Sequence, residues 1–204
     1  LGHLLPVRQK IGRDAGIGSA EAKSTATSEA EVNAWVVIKP DDTVVIRIAR
    51  SEMGQGTLTG LAQLVAEELD CDWKNVTWEY PTPGQNLARK RVWGNMSTGG
   101  SRGIRESHEY VRQGGAAAKQ MLVQAAAEAW KVPASECTAS ASVITHGPSK
   151  RTTTYGKVAA AAAKLPVPDL KAMKLKDAKD WKIAGKPLKR LDTADKLTGK
   201  QIYG

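Results

Sequence analysis

Two short runs of glycine and hydroxyl residues concentrate the groups in this sequence that could do chemistry. The first is Met53-Gly-Gln-Gly-Thr57 and the second is Ser97-Thr-Gly-Gly-Ser-Arg102. Each follows a strand or loop and precedes a helical pattern. At such junctions backbone N–H groups lack intrahelical partners and the helix dipole turns its positive end outward, which suits phosphate. Glycine helps because no Cβ blocks an anion from the backbone. Neither run is a Walker loop, since no Gly-Lys-Ser/Thr follows. Gly54, Gly56 and Gly60 are spaced GxGxxxG rather than the dinucleotide-binding GxGxxG. The second run is richer. The hydroxyls of Ser97, Thr98 and Ser101, the N–H groups around Gly99 and Gly100, and the Arg102 guanidinium form a donor set suited to phosphate or pyrophosphate. Blander readings stand beside these: a tight β-to-α turn for the first run, and a simple N-cap at Ser97 or Ser101 for the second. Two such turns in one small domain favour a single extended phosphorylated ligand.

The elements that must position these turns can be read from periodicity. Trp35-Val-Val-Ile38 and Thr43-Val-Val-Ile-Arg-Ile48 are β-rich runs joined by a turn at Lys39-Pro-Asp-Asp42. After the first glycine run, Leu58, Leu61, Leu64, Val65 and Leu69 recur at helical spacing and share one buried face. Val76-Thr-Trp-Glu-Tyr80 predicts a further strand, and residues 81–96 an irregular basic loop. The second glycine run opens the longest helical pattern, residues 104–130, with a kink expected at Gly114-Gly115 and an end at Pro133. Residues 137–146 and 151–154 predict a hairpin around Gly147-Pro148, followed by a small Ala-rich helix over residues 155–163. The order of elements predicts an α+β fold, a mixed sheet with packed helices. Three regions follow: a flexible lead over residues 1–33, a core domain over 34–163, and an extended basic tail over 164–204.

The chain has 204 residues and a formal net charge of +9, of which residues 164–204 carry +6. That surplus sits in a Pro-punctuated tail rather than on a face interleaved with aromatic readout residues, so nucleic acid is not the expected partner. A solvated or partner-covering extension fits it better. No apolar run approaches the roughly 20 residues needed to span a bilayer. Cys71 and Cys137, the only cysteines, lack metal-ligand spacing and cannot build an iron–sulfur cluster. His3, His108 and His146 are too scattered for a zinc site.

The run Ser51-Glu-Met-Gly-Gln-Gly-Thr57 followed by Leu61-Ala-Gln-Leu-Val-Ala-Glu-Glu-Leu69 resembles the cofactor-binding portion of the xanthine dehydrogenase and aldehyde oxidase family. The branch is that of isoquinoline 1-oxidoreductase-like large subunits and bacterial aldehyde dehydrogenases. Arg91-Val-Trp-Gly94, Thr98-Gly-Gly-Ser-Arg102, Glu106-Ser-His-Glu-Tyr110, Lys186-Pro-Leu-Lys-Arg-Leu-Asp192 and Lys196-Leu-Thr-Gly-Lys200 fit it too. The resemblance implies that residues 34–163 form part of a molybdopterin-binding domain. It implies that Met53, Gly54, Gln55 and Gly56 contact the pterin, while Thr98, Gly99, Gly100 and Ser101 bind pyrophosphate with Arg102 adding charge. The implied cofactor is molybdenum with molybdopterin cytosine dinucleotide.

No motif here matches the family's late Gly-Glu catalytic glutamate, and Glu52 belongs to the cofactor motif. The resemblance therefore places the catalytic glutamate on a partner chain carrying the rest of the large subunit, including the hammerhead domain. It places 2Fe-2S clusters on a separate small subunit, with a cytochrome c as a further partner. Hydroxylation of an aldehyde or N-heterocycle, with water as oxygen source, is the expected reaction. The branch and the opening Leu1-Gly-His-Leu-Leu-Pro6, read as the stub of an export signal, point to the periplasm. Two other readings of the residues remain: a non-catalytic module binding a nucleotide or phosphorylated ligand, and a basic adaptor coating an acidic partner.

Overall fold

A computed structural model describes residues 29–201. Residues 1–28 of the expected lead, with the export-signal stub, and residues 202–204 lie outside the described residues. Alternating apolar runs give β1 (Ala30–Glu31), β2 (Val36–Ile38) and β3 (Val44–Arg47), with α1 (Thr57–Leu69) leading to β4 (Val76–Glu79). These strands form one sheet in the order β1-β2-β3-β4. β2 pairs antiparallel with β1 and β3, whereas β3 and β4 run parallel, with Val44 opposite Val76. Parallel pairing requires a crossover, and α1 supplies it. The sheet is mixed, as expected.

Next come α2 (Pro83–Ala88), α3 (Arg102–Arg105) and α4 (His108–Trp130). A meander of β5 (Cys137–Ser140), β6 (Val143–His146) and β7 (Arg151–Thr154) follows, then α5 (Tyr155–Ala162) and α6 (Thr193–Thr198). The hairpin around Gly147-Pro148 is present, and a second tight turn at residues 141–142 makes three strands rather than two.

The core lies between the four-stranded sheet and the α1/α4 layer. Val36, Ile38, Val44 and Ile46 meet Leu58, Leu61, Val65 and Leu69 of α1, and the Ala-rich face of α4 adds Ala118, Met121 and Leu122. Three expectations give way here. The lead is already ordered at β1, because Asn33 turns the chain into β2: its Oδ1 accepts from the N–H groups of Trp35 and Val36, and its amide donates to Gly114 O. Part of the presumed irregular loop is α2, closed by a Thr82/Gln85 capping box with Pro83 at its start. The long helix is interrupted at Glu106 and Ser107, so α3 and α4 are separate. α4 runs unbroken through Gly114 and Gly115. A Cβ on Gly115 would lie 2.5 Å from Val65 O of α1, so glycine there permits the close helix crossing.

The basic tail is not a solvated extension. The Glu67 carboxylate of α1, 1% exposed, accepts from the N–H groups of Lys182, Ile183 and Ala184 and pairs with Lys176 Nζ. Glu68 accepts from the Lys176 N–H and pairs with Arg112 of α4. The tail wraps over this chain's own α1 and brings residues 190–196 back to the start of that helix.

Candidate functional site

The two glycine turns lie side by side. Thr98 Oγ1 donates to Ser51 O at 3.1 Å. A Cβ on Gly103 of α3 would lie 2.7 Å from Thr57 Oγ1 at the start of α1. Arg50, which sequence reasoning passed over, braces the pair from beneath. It is 3% exposed, and donates through Nη1 to Ser97 O at 2.6 Å and through Nε to Ser107 Oγ at 3.1 Å. Ser107 also accepts from the Tyr110 hydroxyl, which explains the break between α3 and α4. Nothing in local sequence separates such a buried arginine from a surface one.

The turns differ in what they leave open. In the first, Gly54 and Gly56 take φ of 101° and 87°, conformations that strain any other residue. Their N–H groups, and that of Leu58, donate to the Glu52 carboxylate at 2.7, 2.9 and 3.0 Å. Burial alone would push the Glu52 carboxyl up, but these three donors and Arg190 hold it below the ordinary range. The Met53 N–H donates to Gln55 Oε1, and Gln55 Nε2 donates to Ser51 O. The expected phosphate cradle is therefore occupied by the chain's own carboxylate, which takes the place a phosphate would have at the α1 N-terminus. What remains presented is the Met53 side chain, 69% exposed, the bare faces of Gly54 and Gly56, and the N–H groups of Gln55 and Thr57, which meet no protein acceptor among the described residues. Met53 and Gly54 border a cleft of about 930 Å³ also lined by Trp78, Tyr80, Asp195 and Lys196.

The second turn is open. Among the described residues, the N–H groups of Thr98, Gly99, Gly100 and Ser101 and the Ser101 hydroxyl meet no protein acceptor. Gly100 and Ser101 are both left-handed, at φ 56° and 57°, and nothing lies within 4 Å of where a Gly99 Cβ would sit. Arg102 Nε donates to Gly99 O and Arg105 Nη2 to Gly100 O, so two guanidiniums flank the turn. Arg105 was not anticipated. Because α3 is one turn long, these cations, rather than the dipole of a long helix, supply the positive field. Exposed N–H groups, a hydroxyl and two guanidiniums around a bare glycine fit a phosphate group. The sequence-predicted residues 53–56 and 98–102 thus come together as one surface, with the flanking guanidiniums at the second turn.

An α+β domain presenting paired glycine turns, one of them an open oxyanion cradle, belongs to the class of cofactor-binding domains. Residues 7–198 match the molybdopterin cofactor-binding domain family, and the chain belongs to it. The match bears out the resemblance to the xanthine dehydrogenase and aldehyde oxidase family. The isoquinoline 1-oxidoreductase subunit beta of Brevundimonas diminuta is 28% identical over 93% of this chain and 28% of its own length. A protein of Gluconacetobacter polyoxogenes, named membrane-bound aldehyde dehydrogenase [pyrroloquinoline-quinone], is 30% identical over 85% of this chain and 22% of its own. The chain thus spans under a third of either relative. Among solved structures, quinoline 2-oxidoreductase from Pseudomonas putida 86 is 17% identical with a TM-score of 0.45, covering 66% of this chain and 17% of that one. The Cu,Mo-CO dehydrogenase is 21% identical with a TM-score of 0.45, covering 62% and 15%. Among the described residues, no helix is long and apolar enough to cross a membrane.

Proposed function

We propose that this chain forms the phosphate-holding side of the cofactor site in a molybdenum hydroxylase. The observation that carries the reading is the open turn at residues 98–101, whose four N–H groups are left to an external acceptor beside Arg102 and Arg105. Thr98, Gly99, Gly100 and Ser101 would hold the pyrophosphate, Arg102 would neutralise it, and Met53, Gly54, Gln55 and Gly56 would bound the pterin. When bound, the molybdenum cofactor supplies two-electron oxidation of an aldehyde or N-heterocycle with water as oxygen source. Glu52 does not serve as the base, because both its oxygens are engaged by backbone N–H groups and Arg190. The catalytic glutamate would come from outside the described residues, on a partner chain. Electrons would pass to 2Fe-2S clusters on a small subunit and on to a cytochrome c. The dinucleotide is the cytosine form, and the assembly works in the periplasm.

The test is metal and nucleotide analysis of the natively purified complex, with and without Gly99→Glu. A side chain at Gly99 enters open space without a left-handed φ, so the variant should unfold at the same temperature. Its carboxylate would repel phosphate, and bound molybdenum and released cytosine nucleotide should fall together by roughly tenfold or more. A full molybdenum complement in the variant overturns the assignment, as does recovery of pyrroloquinoline quinone in place of molybdenum from the unsubstituted complex.

A further inference from the structure

Resting on that reading, we infer that Arg190 and Glu52 are positioning residues, a pair that holds the turn at residues 53–56 in the shape that receives the pterin. Glu52 gathers three N–H groups of the turn and the α1 start, but its carboxylate must itself be held, and the group that holds it comes from 138 residues away. Arg190 Nη2 lies 3.0 Å from Glu52 Oε1, and Arg190 Nη1 donates to Gly54 O at 3.0 Å. One guanidinium thus engages both the carboxylate that organises the turn and the turn's own carbonyl.

Arg190 is in turn fixed. Asp192, 2% exposed, takes Nε and Nη2 in a bidentate pair, both at 2.9 Å, and Lys196 Nζ of α6 pairs with its Oδ2 as well at 2.6 Å. Planar two-point pairing sets direction as well as distance, and a lysine cannot reproduce it. The Tyr80 hydroxyl accepts from the Glu52 N–H at 3.1 Å, fixing the other end of the residue. The order Lys196, Asp192, Arg190, Glu52, Gly54 is a continuous relay from the tail to the first turn. It does not touch the second turn. That separation makes the assignment testable, because a positioning role at the first turn leaves phosphate binding at the second intact.

The experiment compares wild type, Arg190→Ala and Arg190→Lys in the natively purified complex. Pterin content is read by fluorescence after oxidative release, and amide exchange over residues 53–58 and 98–101 by mass spectrometry. Inorganic pyrophosphate affinity of the cofactor-stripped complex is read by calorimetry. Arg190→Ala should lose pterin by about tenfold and exchange faster at residues 53–58, with pyrophosphate affinity unchanged within about twofold. Arg190→Lys, retaining charge without the fork, should fall between. Wild-type pterin content in Arg190→Ala, or unaltered exchange at residues 53–58, overturns the positioning role. Failure of the unsubstituted complex to bind pyrophosphate overturns instead the function proposed above, which this comparison keeps separate.

Discussion

At the scale of single residues, the site depends on carboxylates held in their charged form. The Arg190 guanidinium holds Asp192 down at about 2, with Lys196 assisting and burial opposing. Its ordinary value is 3.8, so the folded state binds its proton less readily than the unfolded chain does. The resulting stability is present above about pH 4 and is lost as pH falls through the folded value, amounting to about 2 kcal/mol. Glu52 is depressed too, so its contribution has the same sign. Urea unfolding at steps from about pH 5 to pH 2 should show wild type losing about 2 kcal/mol more than Asp192→Asn over that window. Parallel pH dependences would remove Asp192 from the account. Cys71 sits at the other extreme: burial pushes its thiol up to about 12, which leaves it a packing residue rather than a nucleophile.

At the scale of elements, the close crossing of α1 and α4 determines where the two turns meet. Gly115 faces Val65 O and Gly114 lies under the Trp35 ring, where a Cβ would come within 2.9 Å of Cδ2. Gly115→Ala should therefore destabilise the fold by about 1–3 kcal/mol despite alanine's better helix propensity, because the obstructing atom is backbone and cannot rotate away. A measured gain in stability on substitution would show that the helices can separate without cost. β2, β3, β4, α1 and the small helix after β7 were legible because their apolar or alanine-rich runs are strong. The break at Ser107 was not, since it depends on Arg50 reaching Ser107 from 57 residues away. The same holds at the first turn. Its glycines are visible in sequence, but whether their N–H groups face a ligand or Glu52 depends on where a tail residue lands. Residues 98–102 were legible as a donor set because hydroxyls, glycines and an arginine are contiguous there. Arg105 escaped because its role needs one further turn of helix.

At the scale of the whole molecule, a few cations tie the tail to the rest of the chain, while most of its lysines stay exposed. The acidic end of α1, Glu67, Glu68 and Asp70, receives Lys176, Arg112 and Lys119, and Arg112 also lies over the Trp181 ring at 5.1 Å. Composition alone could not distinguish this strap from a solvated extension, because the difference lies in three backbone N–H groups aimed at one buried carboxylate. Burial by itself would push Glu67 up, yet the Ile183 and Ala184 N–H groups and Lys176 hold it below the ordinary range. Glu67→Ala leaves these donors without an acceptor and an ammonium without its partner, at a cost of about 3 kcal/mol or more. Glu67→Gln, which keeps one acceptor oxygen, should cost less. Amide exchange over residues 182–184 should accelerate in Glu67→Ala while β2 and β3 remain protected, since the sheet does not depend on the strap. Exchange over residues 53–58 should rise with it, because Arg190 reaches the first turn only while the strap is seated. Faster exchange at residues 182–184 with an unchanged first turn would mean that residues 190–196 dock by themselves. Faster exchange at both would make Glu67, remote from any ligand, the anchor through which the far end of the chain shapes the cofactor turn.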